Sequence, residues 1–334
     1  MTQLSDQKKA MKGIFCVQMT PFNKDGSVDL EGMRANTKWL LERMAGKDFV
    51  FVPEGSNGEF YAQSEDEWKA VVKVVVEEVN GKLPVIVGAA QCGTQETIKR
   101  CRYAQSVGAD GVMIVLPYYW IPTEEGMYQH YKQVAESIDI GVVLYNNPGV
   151  AGSLVRPPLM AKLSKIPNII GVKEGSQSIL HFNLMQKLVD PKDTIILWGR
   201  GEEMFPHVAP TGCPGFTSWL ANFAPELAYS MYEAAMARDF DKVAELANHL
   251  SPFFREPEMV RCLPSGSNFL TKVTANHWQS AGVSGGAPMQ FAVVKAAMDI
   301  AGLRGGEVRL PMVGLTKEEK DELAGILRNS KIIK

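Results

Sequence analysis

The chain has 334 residues, with 35 Lys and Arg against 37 Asp and Glu, and 46% of it is hydrophobic. That apolar content with a net charge of −2 excludes intrinsic disorder, and the lack of a basic stripe argues against nucleic acid as the main partner. No apolar run reaches the roughly 18–20 residues of a membrane-spanning helix, and the opening MTQLSDQKKAMKG has no signal-peptide core.

A cytoplasmic protein is therefore expected. The cysteines Cys16, Cys92, Cys101, Cys213 and Cys262 are odd in number and form no CxxC pair, so they read as reduced thiols. The histidines show no HExxH-like spacing, which argues against a dedicated metal site.

Short apolar runs recur along the chain, each followed by a longer amphipathic stretch. The runs are Ile14–Met19, Phe49–Val52, Val85–Gly88, Gly111–Val115, Gly141–Tyr145, Ile169–Lys173, Thr194–Trp198 and Gly215–Trp219. Most are apolar at successive positions, which predicts parallel strands buried on both faces. Between them, Glu65–Val79, Thr94–Gln105, Glu124–Ser137, Pro157–Ser164 and Ser178–Leu188 read as helices. Ser64 with Glu67 three residues on predicts a capping box at the first of these.

Eight strand–helix units in series predict an α/β protein with a closed (β/α)8 TIM barrel over residues 10–222; an open, doubly wound sheet needs only five or six. From 223 to 334 the pattern is helical, at Pro225–Ala235, Asp239–Leu250, Phe291–Ala301 and Lys317–Asn329. A long irregular segment at 256–290 interrupts it, and long loops in compact proteins are often functional.

Reactive residues in such barrels sit at the C-terminal ends of strands. The sixth strand, NIIGVKEGS, ends on Lys173. Burial disfavours the ammonium form, and a neutral amine attacks a ketone to form a Schiff base, an electron sink for breaking or making a C–C bond. The plainer alternative is a solvated lysine paired with Glu174. The fifth strand ends on Tyr145, whose phenol can serve as general acid and base near an imine, or can simply pack with its hydroxyl on backbone. In VPEGSNGEF, Gly55 and Gly58 permit close backbone approach, and the amides of Ser56 and Asn57 suit a carboxylate; the alternative is a plain turn. After the fourth strand, Tyr118, Tyr119 and Trp120 read as a subunit contact, an active-site element, or both.

Together these segments resemble the pyruvate-dependent class I aldolases, the dihydrodipicolinate synthase and N-acetylneuraminate lyase superfamily. The shared pieces are GxxxxxxTPF at Gly13–Phe22, GSNGE at Gly55–Glu59, PYY at Pro117–Tyr119, YNxP at Tyr145–Pro148 and GVKE at Gly171–Glu174. The resemblance implies a barrel with a C-terminal helical domain, assembled as a homotetramer of tight dimers. It makes Lys173 the Schiff-base lysine, Tyr145 the proton shuttle, and Tyr119 a relay residue that crosses the dimer interface. Ser56 and Asn57 correspond to the pair that holds the pyruvyl carboxylate, with the Ser56 hydroxyl linking the tyrosines. It implies no metal and no organic cofactor.

Two departures bear on substrate. Where dihydrodipicolinate synthases carry an arginine that grips the aldehyde's carboxylate, this chain has Val150, which cannot bind one. The GSNGEF form resembles 4-hydroxy-2-oxoglutarate aldolases. After the seventh strand, WGRGEEM places Arg200 and Glu202 where the distal part of the substrate is chosen; the alternative for Arg200 is a surface pair with Glu203. The eighth strand contributes Thr217 and Trp219, and Trp219 has a counterpart in aromatic hydratase-aldolases. Trp219, Trp120 and Phe60 would line an apolar slot, or Trp219 packs the barrel.

The expectation is a lyase acting on a 2-oxo acid, with pyruvate and an apolar or aromatic aldehyde as the two halves. The alternatives are a 2-keto-3-deoxy sugar acid dehydratase, a dihydrodipicolinate synthase-type condensation, and a non-catalytic 2-oxo-acid sensor.

Overall fold

The computed structural model describes residues 4–176, 178–252, 273 and 289–333. Its eight parallel strands are β1 (Gly13–Val17), β2 (Phe49–Val52), β3 (Ile86–Gly88), β4 (Gly111–Val115), β5 (Gly141–Asn146), β6 (Ile169–Glu174), β7 (Ile195–Trp198) and β8 (Gly215–Ser218). They lie in the order β2-β1-β8-β7-β6-β5-β4-β3. The outer strands of that list meet through a parallel bridge between Phe51 and Val85, with Phe51 N donating to Pro84 O at 2.9 Å. The sheet thus closes into a TIM barrel.

Both faces of each strand are covered, by barrel interior and by helices, and of all strand residues only Ile195 is less than buried. That double burial is why the strands read as unbroken apolar runs. β1 ends at Val17, two residues before the apolar run does. Beyond it Met19 N bonds to the Asn222 side chain instead of a strand, at 3.1 Å.

Helices Glu65–Val79, Thr94–Ser106, Glu124–Glu136, Pro157–Leu163 and Ile179–Leu188 follow β2 to β6. The capping box forms: Glu67 N donates to Ser64 Oγ at 3.3 Å and Ser64 N to Glu67 Oε2 at 2.9 Å. A further helix, Leu30–Met44, follows β1. Helices Pro225–Met236 and Phe240–Leu250 come after the barrel, then Gln290–Ile300 and Lys317–Asn329. The segment expected to be irregular, 256–290, lies outside the described residues except for Val273, Met289 and Gln290.

Cys16, Cys101 and Cys213 are buried free thiols and Cys92 is exposed; Cys262 lies outside the described residues. Among the described residues no helix is long and apolar enough to cross a membrane.

Candidate active site

Alternation along a strand sends successive side chains to opposite faces, and this separates Lys173 from Glu174. Glu174 turns outward, where its Oε2 accepts from Asn146 Nδ2 at 2.8 Å and its Oε1 from Ser176 N at 2.7 Å. Lys173 turns inward and is only 4% exposed. The β5–β6 register sets Tyr145 directly opposite Lys173, and the ammonium nitrogen lies 3.8 Å from the phenol ring centroid. Burial pushes the Lys173 amine below its usual range; the tyrosine opposes this and the Arg200 guanidinium adds to it. Gly199 on the next loop leaves the space, since a Cβ there would come within 2.9 Å of Lys173 Cγ.

A small cavity opens beside this pair, with Gly55, Ser56, Phe60, Met113 and Glu54 among its walls. The Gly55–Gly58 loop lies across the barrel mouth. Gly58 N and Glu59 N are used within it, bonding Gly55 O and Ser56 O. The amides of Ser56 and Asn57 begin the short helical turn Ser56–Gly58, and both residues are half-buried.

Two glutamates bracket the loop, Glu54 at φ 59° and Glu59 at φ 55°. This left-handed conformation costs a residue other than glycine about 1–2 kcal/mol, so surrounding contacts must enforce it. For Glu59 those contacts come from the C-terminal region: its carboxylate is buried against Lys295 of helix Gln290–Ile300 and accepts from Arg309 N at 3.0 Å. The side chain of Tyr145 is held too, its hydroxyl accepting from Asn147 Nδ2 at 2.7 Å.

The remaining sequence-derived residues divide into two groups. Thr217 and Glu202 are buried at the β7–β8 side of the barrel, and Arg200 and Trp219 are half-buried beside them. Ser218 Oγ donates to Glu202 Oε1, and burial raises the Glu202 carboxyl to about 7. Trp219 Nε1 lies 3.4 Å from where a Cβ on Gly201 would be.

Tyr119 and Trp120 stand outside the cavity, 85% and 82% exposed on the single chain. Tyr118, and not Trp120, packs edge-on against Phe60, with centroids 6.1 Å apart. Val150, 40% exposed, follows β5 on the short helix Pro148–Ala151.

Four residues at the site carried no role in the sequence reading: Glu54, Asn147, Gly199 and the Glu59 partner Lys295. Glu54 and Asn147 sit inside quoted motifs, but only tertiary geometry reveals their partners. Among the described residues no cluster of three or more His, Cys, Asp or Glu is placed to hold a metal.

The profile of the dihydrodipicolinate synthetase family matches residues 10–266. A 4-hydroxy-tetrahydrodipicolinate synthase of Methanopyrus kandleri is 39% identical over 249 residues, 73% of this chain and 81% of the relative. One from Methanospirillum hungatei is 33% identical over 95% of this chain and 98% of its own. Among solved structures, dihydrodipicolinate synthase from Thermotoga maritima superposes with a TM-score of 0.79 at 29% identity, covering 96% of this chain and 99% of that one. YagE from E. coli K12, solved in complex with pyruvate, gives 0.80 at 27% identity with the same coverage. The chain belongs to the dihydrodipicolinate synthetase family of pyruvate-dependent class I aldolases.

Proposed function

We propose that this chain forms a Schiff base between Lys173 and a 2-oxo acid and makes or breaks the C–C bond next to the imine, with pyruvate as the constant half. The observation that carries this is the buried Lys173 amine, 3.8 Å from the Tyr145 ring centroid and on the wall of a cavity at the C-terminal ends of the strands. A depressed amine pKa keeps more of the lysine neutral and nucleophilic.

In cleavage, the Lys173 nitrogen adds to the C2 ketone and water leaves. Tyr145 takes the proton of the C4 hydroxyl, the C3–C4 bond breaks, and its electron pair passes into the protonated imine. The enamine takes a proton at C3, and hydrolysis frees pyruvate and lysine. Asn147 donates to the Tyr145 hydroxyl and so holds that oxygen in place for the proton transfer. The Ser56 and Asn57 amides hold the carboxylate next to Gly55. The Ser56 hydroxyl links Tyr145 to Tyr119 of a second copy of the chain.

Tyr119, Trp120 and Ile121, all highly exposed on one loop, support a contact between copies and hence the homotetramer built as a dimer of dimers. The imine on Lys173 is the only covalent carrier in this scheme, with no cofactor, and we place the enzyme in the cytoplasm.

The aldehyde half faces Arg200, Glu202, Thr217 and Trp219. We assign it an apolar or aromatic body, because Val150 offers no charge and Trp219 offers surface, with Trp120 adding to the slot from the subunit contact. A second reading is the condensation for which the Methanopyrus and Methanospirillum relatives are named. Incubation with 2-oxo acids distinguishes the chemistries: an aldolase releases pyruvate and an aldehyde, whereas a dehydratase leaves the carbon chain whole. Products formed only with an aldehyde that bears a carboxylate would favour the second reading.

A further inference from the structure

The cavity beside Lys173 has one acidic wall that the reaction above leaves unused. Glu54 lies between β2 and the Ser56–Gly58 turn, and its carboxyl is buried, 1% exposed. Its Oε1 accepts from Thr20 Oγ1 and from Gln63 Nε2, each at 3.1 Å. Its Oε2 is buried with no hydrogen-bond partner in the structure. The contrast with Glu59 at the other end of the loop is direct: that carboxylate is also buried, but Lys295 and Arg309 N occupy both of its oxygens. A buried polar atom left without a partner is costly, and it persists where something absent from the free chain satisfies it. Glu54 also shares its cavity with Gly55, Ser56, Tyr145 and Lys173.

We propose that Glu54 is a further substrate-binding residue, its unpartnered Oε2 hydrogen-bonding the 2-oxo acid at the end of the cavity built by Gly55 and Ser56. This rests on the Schiff-base reading of the site. A carboxyl group can bond a carboxylate only while it carries a proton to donate. Burial supplies that condition, raising the Glu54 carboxyl to about 8, with bonds from Gln63 and Thr20 and the charge of Arg100 opposing and Glu59 assisting. Lys173 and Tyr145 are the titratable groups on the cavity walls contributed by β6 and β5, Arg100 approaches from helix Thr94–Ser106, and Glu59 from the loop itself. At pH 7 Glu54 is a neutral donor. Above about 8 it becomes an anion beside the substrate's anion, and affinity falls.

The test is borohydride trapping of the full-length protein with pyruvate, read by intact mass across pH 6.5–9.5 for wild type, Glu54→Gln and Glu54→Leu. In wild type the half-saturating pyruvate concentration rises above about pH 8, toward tenfold per pH unit, as a single ionisation requires. Glu54→Gln donates but cannot ionise, so it loses that rise; contributions from Lys173 and Tyr145 are common to both proteins and cancel in the comparison. Glu54→Leu raises half-saturation about tenfold or more at pH 7, the scale of one lost bond to a charged group, yet is still trapped at saturating pyruvate. Identical pH profiles for wild type and Glu54→Gln overturn this inference alone. Absence of any adduct in wild type overturns the Schiff-base reading and this inference with it.

Discussion

Tyr145 and Lys173 are direct neighbours across β5 and β6, paired in register, with the lysine nitrogen 3.8 Å from the ring centroid of the phenol. Two rigid strands therefore fix the distance between the proposed nucleophile and the proposed proton carrier, and no loop has to close to create it. Tyr145→Phe should keep the fold and lower kcat about 10²-fold or more, the usual scale for a lost acid–base group. Asn147→Leu removes the 2.7 Å bond to the same hydroxyl and should cost less, about tenfold. Steady-state kinetics on both variants checks the order.

The buried amine weakens the fold that holds it. Its pKa is depressed by burial, so the unfolded chain binds a proton that the folded chain holds less well. Stability contributed at this position is therefore lower below the unfolded lysine pKa and recovers as pH rises. Lys173→Met should abolish turnover while leaving the melting temperature at pH 7 unchanged or higher. A large fall in melting temperature would show that the amine is structurally required.

Lys295 and Glu59 form an ion pair with both side chains essentially inaccessible, 1% and 0% exposed. Removing one partner strands the other charge, a loss of about 3–5 kcal/mol; removing both is far milder. Urea unfolding of Lys295→Met, Glu59→Gln and the double variant should show the double variant more stable than Lys295→Met alone. Because Glu59 ends the Ser56–Gly58 loop, Lys295→Met should also raise the pyruvate KM.

Arg309 grips Glu67, the capping residue of helix Glu65–Val79, and that contact lowers the Glu67 carboxyl from 4.5 to about 2. A depressed carboxylate stabilises the fold fully above its unfolded pKa, and the contribution is lost as pH falls through the folded value. Melting temperature should therefore drop between pH 4.5 and 2, and Arg309→Leu should flatten that part of the profile.

The barrel was legible in the sequence because double burial writes parallel strands as unbroken apolar runs, and because Ser64 and Glu67 mark a helix start by chemistry alone. The pyruvate-dependent aldolase family was legible from five ordered motifs, and the family profile agrees. Helix Leu30–Met44 was legible only as an amphipathic stretch after the first strand, without its bounds. Gly32, Asn36 and Thr37 interrupt its apolar face, yet all three are buried, and Asn36 Nδ2 donates to Arg304 O at 2.7 Å. Polar residues spent on tertiary contacts blur a helical period. The partner of Glu59 was hidden by distance along the chain: Lys295 lies 236 positions away in sequence. Tyr119 and Trp120 read as a subunit contact or an active-site element, and on the single chain they stand in solvent, outside the cavity.

The most direct test of the account is peptide mapping after incubation with pyruvate and borohydride. The reduced pyruvyl adduct should sit on the peptide that carries Lys173, at one equivalent per chain, and vanish in Lys173→Met. An adduct on another lysine, or none at saturating pyruvate, would contradict it.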